Sequence, residues 1–301
     1  MDASAAQRVI VIAGPTASGK SAYALKMAGE CNGVIINADS LQIYHALPIL
    51  TAQPSQQELA GYPHRLYGVL DPTVIGSVAE WINLAVAEIE KACASGMTPI
   101  VVGGTGLYIK SLIYGLSPLP VVADDLREQA RKRQAEIGNP AFHAELAVID
   151  PMMAARLKPN DTQRLIRAYE VIKSTGKSLA IWQETPPVPP LPTATFDTIL
   201  VDGPRDVLRD RARRRLGQMV DLGVVNEVRN FSERIKRGEI APDAVPTIAL
   251  GYHAFVEAIN GKITIDQAVD EAVTQTGQYI KRQQTWFRHQ MPFDRTINVS
   301  V

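Results

Sequence analysis

The chain has 301 residues, 46% of them apolar, with 31 basic and 31 acidic side chains and a formal net charge of zero, a composition that fits a soluble α/β protein of one large or two ordinary domains. Its longest apolar runs fall far short of the roughly 20 residues needed to span a bilayer, and the short polar stretch 1–8 carries no secretory signal. Cys31 and Cys93 stand apart without metal-ligand spacing, so membrane insertion, export and a zinc site are excluded and a cytoplasmic location is expected.

Residues 8–13 read as a buried strand running into Gly14-Pro15-Thr16-Ala17-Ser18-Gly19-Lys20-Ser21, with helical character over 23–29. That octet is a full Walker A pattern in its strand-to-helix context. Gly14 and Gly19 permit backbone angles that turn successive N–H groups inward at a helix N-terminus, Lys20 adds a full charge, and Ser21 offers a hydroxyl to Mg²⁺. All eight residues are therefore expected to hold phosphate. A second strand, 33–38, delivers Asp39 and Ser40 to the carboxyl end of the sheet, where open parallel sheets bind ligands. A carboxylate there suits a base facing the phosphate loop, the acceptor-side acid of a kinase, or a helix N-cap.

Ser77 and Glu80 form a capping box, and Trp81, Ala85, Ile89 and Ala92 follow at helical spacing, giving a helix over 77–96. The strand 98–102 then empties into Gly103-Gly104-Thr105-Gly106. Beyond residue 115 the pattern changes to polar helices over 124–137 and 161–174, a proline-rich linker over 186–192, and a returning strand over 196–201. In the second of these helices Leu165, Tyr169 and Ile172 share one face, leaving Gln163, Arg164 and Arg167 to point elsewhere, as phosphate and base contacts would. Asp202, at the end of the returning strand, reads either as the metal-holding acid of an NTPase or as a surface turn. Charge is uneven: residues 205–237 carry about two basic residues for each acidic one, and Lys281, Arg282, Arg288 and His289 form a second basic cluster, either solvated helix faces or nucleic-acid contacts.

The expected fold is α/β: a P-loop NTPase-like parallel sheet flanked by helices, with a smaller helical insertion domain. Residues 1–117 form the first part of the core, 118–195 the insertion, and 196–301 the core continuation with C-terminal helices. A Walker A loop alone favours a small-molecule kinase or an NTPase.

Taken in order, the phosphate loop, Asp39-Ser40-Leu41-Gln42-Ile43-Tyr44, Pro63-His64-Arg65, Val102-Gly103-Gly104-Thr105-Gly106-Leu107-Tyr108, Gly115-Leu116, the run from Asn160 to Ala168, Gly251-Tyr252, and Lys281-Arg282-Gln283-Gln284-Thr285-Trp286-Phe287 resemble the motifs of the bacterial tRNA dimethylallyltransferases over nearly the whole chain. The resemblance implies a cytoplasmic, monomeric enzyme that transfers the dimethylallyl group from dimethylallyl diphosphate to N6 of the adenine 3′ of the anticodon in tRNAs reading U-initial codons. The phosphate loop would hold the leaving diphosphate with Mg²⁺ at Ser21.

The same resemblance implies Asp39 as catalytic base, Thr105 beside the acceptor adenine, and Lys20 and Arg215 on the diphosphate. Arg215 is preferred over Arg211 by its register with Met219. The expected partner is the tRNA anticodon stem-loop, contacted by Asp39, Ser40, Leu41, Gln42, Thr105, Arg127, Gln163, Arg164, Leu165, Ile166 and Arg167. The chain departs from the family pattern at His45 and Ala46, through Pro48-Ile49-Leu50-Thr51-Ala52-Gln53-Pro54, and at His253 and Gly277. The alternatives are an adenylate (AMP/ADP) isopentenyltransferase, a P-loop small-molecule kinase, and a nucleotide-binding switch module without transfer chemistry.

Overall fold

Arg8–Ala13 (β1) is buried along almost its whole length, as a strand covered on both faces of a parallel sheet must be. A computed structural model describes residues 7–299, so most of the polar stretch 1–8 lies outside the described residues. β1 lies between Thr98–Gly103 (β4) and Thr195–Asp202 (β5), with Ile10 opposite Ile100 on one side and Asp197 on the other. Gly33–Asn37 (β2), His64–Arg65 (β3) and Arg295–Asn298 (β6) complete a six-stranded parallel sheet in the order β3-β2-β4-β1-β5-β6.

The sequence reading omits β3 and β6. β3 has only two residues, and β6 is fixed by a distant clasp: the Asp294 carboxylate accepts from the Thr198 N–H and hydroxyl, both at 2.8 Å, bringing the last strand alongside β5.

Helix Lys20–Cys31 (α1) follows the phosphate loop, and Gln56–Gly61 (α2) precedes β3. Val78–Ala94 (α3) starts at the Ser77–Glu80 capping box and buries Trp81, Ala85, Ile89 and Ala92, while Gly106–Tyr114 (α4) follows β4. After β5 come Arg205–Asp221 (α9) and Val224–Lys236 (α10), a 3₁₀ turn Val245–Ile248, Tyr252–Ile259 (α11) and the long Ile265–Gln290 (α12). One core packs α1 against the sheet through Ile10, Ile12, Ala24, Ile35 and Ile199. A second joins Leu47 and Leu50 to α9, α10, α11 and α12 through Leu216, Met219, Val228, Phe255 and Ala272.

The chain divides into two units, Met1–Ile113 with Pro190–Val301, and Tyr114–Pro189. The second contains Asp124–Ile149 (α5), Pro151–Arg156 (α6), Thr162–Thr175 (α7) and Leu179–Trp182 (α8) around Phe142, Leu146, Leu165, Ile166 and Val171. The expected helix 124–137 does break where the sequence stops it, at Gly138 (φ 73°), two residues before Pro140. It then resumes to Ile149, because proline is tolerated in the first turn of the new helical run.

Candidate active site

The site is built on the carboxyl ends of β1, β2, β4 and β5. As β1 ends, Gly14 passes so close to β5 that a Cβ there would collide with the Val201 carbonyl oxygen, and Ala17 (φ 63°) and Gly19 (φ 85°) turn the chain into α1. The Ser18 N–H donates to the Pro15 carbonyl at 3.3 Å, closing the loop. Ser18 Oγ is buried without a hydrogen-bond partner and lies against Gly14. The Lys20 ammonium donates to the Pro15 carbonyl at 3.3 Å. Burial lowers the Lys20 pKa to about 8; Asp39 opposes that fall and Arg215 adds to it, so the three charges share one field.

On the neighbouring side, Asp39 Oδ1 accepts from the Leu41 and Gln42 N–H groups at 2.9 and 3.3 Å. This is the local turn anticipated by the capping reading, and it leaves Oδ2 without a hydrogen bond among the described residues. Thr105 Oγ1 accepts from the Ser40 N–H at 3.0 Å and lies 3.3 Å from Ser40 Oγ, tying the loops after β4 and β2 together. The Gln42 amide is spent on the Thr51 and Ala52 carbonyls, each at 2.9 Å, which makes it a brace for the 47–52 loop.

Thr16, Asp39, Ser40, Thr51, Arg215, Thr276, Tyr279 and Arg282 supply the polar lining of one cavity of about 260 Å³. Its remaining lining is apolar: Leu41, Leu50, Ala212, Leu216 and Met219, and Ile248, Ala249 and Leu250. Arg215 Nε is buried with no partner, an orphaned donor that an anion in the cavity would satisfy. Burial pulls the Arg215 pKa down while Asp39 raises it. Tyr279, which the sequence reading gave no role, is pushed up to about 12, first by burial and then by Asp39. Arg211 points its Nη1 to 3.8 Å from where a Cβ on Gly19 would lie, so α9 brings both arginines toward the phosphate loop and its cavity.

The strut of this arrangement is a pair of buried glutamines on α12. Gln283 Oε1 accepts from the Thr16 N–H and its Nε2 donates to the Gly104 carbonyl, both at 2.9 Å. Gln284 Nε2 donates to Asp202 Oδ1 at 2.7 Å and to the Gly203 carbonyl at 2.9 Å, and its Oε1 accepts from Arg205 Nε at 3.1 Å. Together they lash down the loops after β1, β4 and β5. Asp202 Oδ1 also accepts from the Gly203 N–H at 2.8 Å, so one of its two oxygens is committed to the turn that ends β5. Sequence reasoning noted this motif on α12 but had no local signal for its partners, which lie in distant loops.

Gln283→Glu would set a second oxygen against the Gly104 carbonyl. Leaving a buried polar group unsatisfied costs about 1–3 kcal/mol, and the denaturation midpoint is expected to fall accordingly. An unchanged midpoint would mean the staple is not closed in solution.

Ser21 lies apart from this cavity, on a smaller chamber of about 50 Å³ with Gln42, Gln53, Glu58, His64 and Tyr67. Glu58 is committed to the cap of α2, accepting from the Ser55 N–H at 2.7 Å. Among the described residues no group of three or more His, Cys, Asp or Glu side chains could form a metal cage. The donor set fits Mg²⁺ only in its usual nucleotide-site form, one protein hydroxyl completed by water and substrate oxygens.

In the unit Tyr114–Pro189, Gln163 and Arg164 are exposed on α7. Leu165 and Ile166 are buried in that unit's own core, where they pack and cannot meet a solvent-borne RNA. Arg167 is turned inward, donating to Glu170 at 3.2 Å and to the Pro120 carbonyl at 3.4 Å. Arg127 pairs with Asp124 at 3.1 Å and remains 40% exposed.

The family model for IPP transferase matches residues 42–290. Among curated proteins, the chain is 46% identical over 286 residues to the tRNA dimethylallyltransferase of Caulobacter sp. (strain K31), covering 95% of this chain and 91% of that one. It is 46% identical over 282 residues to that of Paramagnetospirillum magneticum, covering 94% and 88%. Among solved structures, the full-length tRNA isopentenylpyrophosphate transferase of Bacillus halodurans superposes with a TM-score of 0.66 at 33% identity, covering 97% of this chain and 90% of that one. A eukaryotic dimethylallyltransferase acting on tRNA superposes with a TM-score of 0.75 at 26% identity, covering 93% and 69%.

Proposed function

The chain belongs to the IPP transferase family, and we propose that it transfers the dimethylallyl group from dimethylallyl diphosphate to N6 of the adenine 3′ of the anticodon in tRNAs reading U-initial codons, releasing diphosphate. The observation that carries this reading is the polarity of the 260 Å³ cavity. Its lining joins the phosphate loop's Thr16 and Arg215, with its orphaned Nε, to a set of apolar side chains, a combination suited to an allylic diphosphate.

The allylic C–O bond breaks as N6 bonds to the same carbon, and negative charge builds on the departing diphosphate. Loop N–H groups, Lys20 and Arg215 stabilise that charge. Asp39 Oδ2 accepts the proton that N6 must lose, while Thr105 and Ser40 hold the adenine side. Ser21 is the residue that would ligate Mg²⁺, whose chemistry is to neutralise diphosphate oxygens. No helix among the described residues is long and apolar enough to cross a membrane, in keeping with a cytoplasmic tRNA-modifying enzyme.

Incubation with labelled dimethylallyl diphosphate and an unmodified tRNA transcript tests the reading. Label at the adenine beside the anticodon supports it; label in free AMP instead, or in neither, sinks it.

The unit Tyr114–Pro189 is proposed as the tRNA grip, with Gln163 and Arg164 as its exposed contacts and Arg127 as a further one. Arg164→Ala is expected to weaken tRNA binding several-fold and to lower the salt slope of log Kd by about one, with donor affinity unchanged. Titrations at several salt concentrations decide the matter, and an unaltered slope removes Arg164 from the interface. Arg167, held by Glu170 and Pro120, is expected to act through the unit's stability.

A further inference from the structure

The lining of the cavity includes Leu50 and Thr51, from a loop with no regular structure of its own. Such a loop walls a cavity only if something fixes it. Its residues Leu47 (φ 56°) and Ala52 (φ 55°) adopt left-handed angles that non-glycine residues hold at a cost. Besides the loop's own turn bonds, from the Thr51, Ala52 and Gln53 N–H groups to the Leu47, Ile49 and Pro48 carbonyls, it is held from outside by Glu227, half-buried in the first turn of α10, whose two carboxylate oxygens each accept one loop N–H, Oε1 from Ile49 at 2.7 Å and Oε2 from Leu50 at 2.9 Å. The Gln42 amide holds the far end through the Thr51 and Ala52 carbonyls. Leu50 packs in one apolar cluster with Leu216 and Met219 of α9, and all three line the cavity. The space available to an apolar chain is thus bounded by a loop pinned by α10 and packed on the face of α9.

We propose that Glu227 is a positioning residue that fixes this wall and so limits the donor to a five-carbon allylic chain, an inference that rests on the transferase reading above. Both carboxylate oxygens are needed. Glu227→Gln keeps the volume but turns an NH₂ group toward one of the two N–H donors, so one bond is lost and replaced by an opposed pair of donors. Glu227→Asp is one methylene too short to reach both amides from the same helix. Either change releases Leu50 from its position without touching the phosphate loop, Asp39 or Arg215.

The test compares dimethylallyl with geranyl diphosphate, five against ten carbons, as donors for one tRNA transcript, using the full chain. For Glu227→Gln the KM for dimethylallyl diphosphate is expected to rise about three- to tenfold with kcat nearly unchanged. The ratio of kcat/KM for the ten-carbon to the five-carbon donor is expected to rise at least about tenfold, within the range that hydrophobic pockets discriminate by chain length. Leu50→Ala, which trims the wall directly, is expected to raise the same ratio and keeps the idea testable if the glutamate variants do not fold.

A variant that loses thermal stability while its donor ratio and KM stay at the wild-type values would overturn the proposal and leave Glu227 a brace only. The wild-type control separates the two readings: if the unaltered protein moves no five-carbon group to tRNA, the transferase reading fails. If it does so and the ratio ignores both substitutions, the wall inference alone fails.

Discussion

Lys20→Ala is expected to lower kcat/KM for the allylic diphosphate by about 10²- to 10³-fold, the loss typical of removing one preorganised donor from a developing anion. The ammonium uses one hydrogen bond on the Pro15 carbonyl, which leaves it further donors for a phosphate oxygen. Its pKa, lowered by burial to about 8, adds a second signature. Above that pH the empty site loses the charge that recruits the donor, so kcat/KM should fall along an alkaline limb near pH 8. In Lys20→Arg, whose guanidinium stays charged, that limb should vanish.

The sign for stability runs the other way. A lysine whose folded pKa lies below its ordinary 10.5 binds fewer protons folded than unfolded, so its charge opposes folding at neutral pH, and the penalty is relieved as pH rises from about 8 toward 10.5. The charge removed in Lys20→Ala is therefore one that opposes folding, and circular dichroism of the variant checks that its lost rate does not come from misfolding. A rate within tenfold of wild type would remove Lys20 from the diphosphate site.

Asp39→Asn is expected to cost about 10²- to 10⁴-fold, mainly in kcat, with tRNA affinity kept. The amide oxygen can still accept from the Leu41 and Gln42 N–H groups that hold Oδ1 in place, so the turn survives. What is lost is the second oxygen, which has no hydrogen bond among the described residues and which the proposed mechanism uses as the proton acceptor. Its charge also raises the pKa values of Lys20, Tyr67, Tyr108 and Tyr279, so the substitution alters the field well beyond the turn it sits in. Single-turnover rates at saturating substrates decide the matter: if Asp39 is the base, the chemical step itself slows by about 10²-fold or more, and a loss of tenfold or less would give the proton to another group.

The parts of this site that could be read directly were those whose chemistry is local. The octet from Gly14 to Ser21 states its own conformation, because a nest before a helix needs glycine, lysine and a hydroxyl at fixed offsets. The Ser77–Glu80 capping box likewise states where α3 begins. Asp39 was legible as a strand-end carboxylate, though only the cavity with Arg215 and Tyr279 distinguishes its surroundings from those of an ordinary cap. The residues that escaped are defined by what they meet far away. Gln283 and Glu227 look like any polar helix residue until their partners, the Thr16, Gly104, Ile49 and Leu50 backbone groups, are known. β6 needs Asp294 to find Thr198, and the apolar wall draws Ile248 and Leu250 from a segment without periodicity. Periodicity did carry the burial of Leu165: it assigned that residue to a packed helix face, and its side chain is in the core.

The Gln283 staple also bears on how the chain reaches this form. Thr16 and Gln283 meet across 267 residues of sequence, and β1 gains one of its two strand neighbours, β5, only after the whole Tyr114–Pro189 unit has been made. Contacts this remote in sequence slow folding, because the entropy of closing the loop is lost before the contact returns anything. On a ribosome adding roughly 5–20 residues per second, the interval between emergence of the phosphate loop and of its staple is on the order of tens of seconds. Until β5 emerges β1 has one open edge, whereas β4, whose neighbours β2 and β1 precede it, has none. The transfer site is therefore among the last features of the molecule to form, although the loop at its centre is among the first to leave the ribosome.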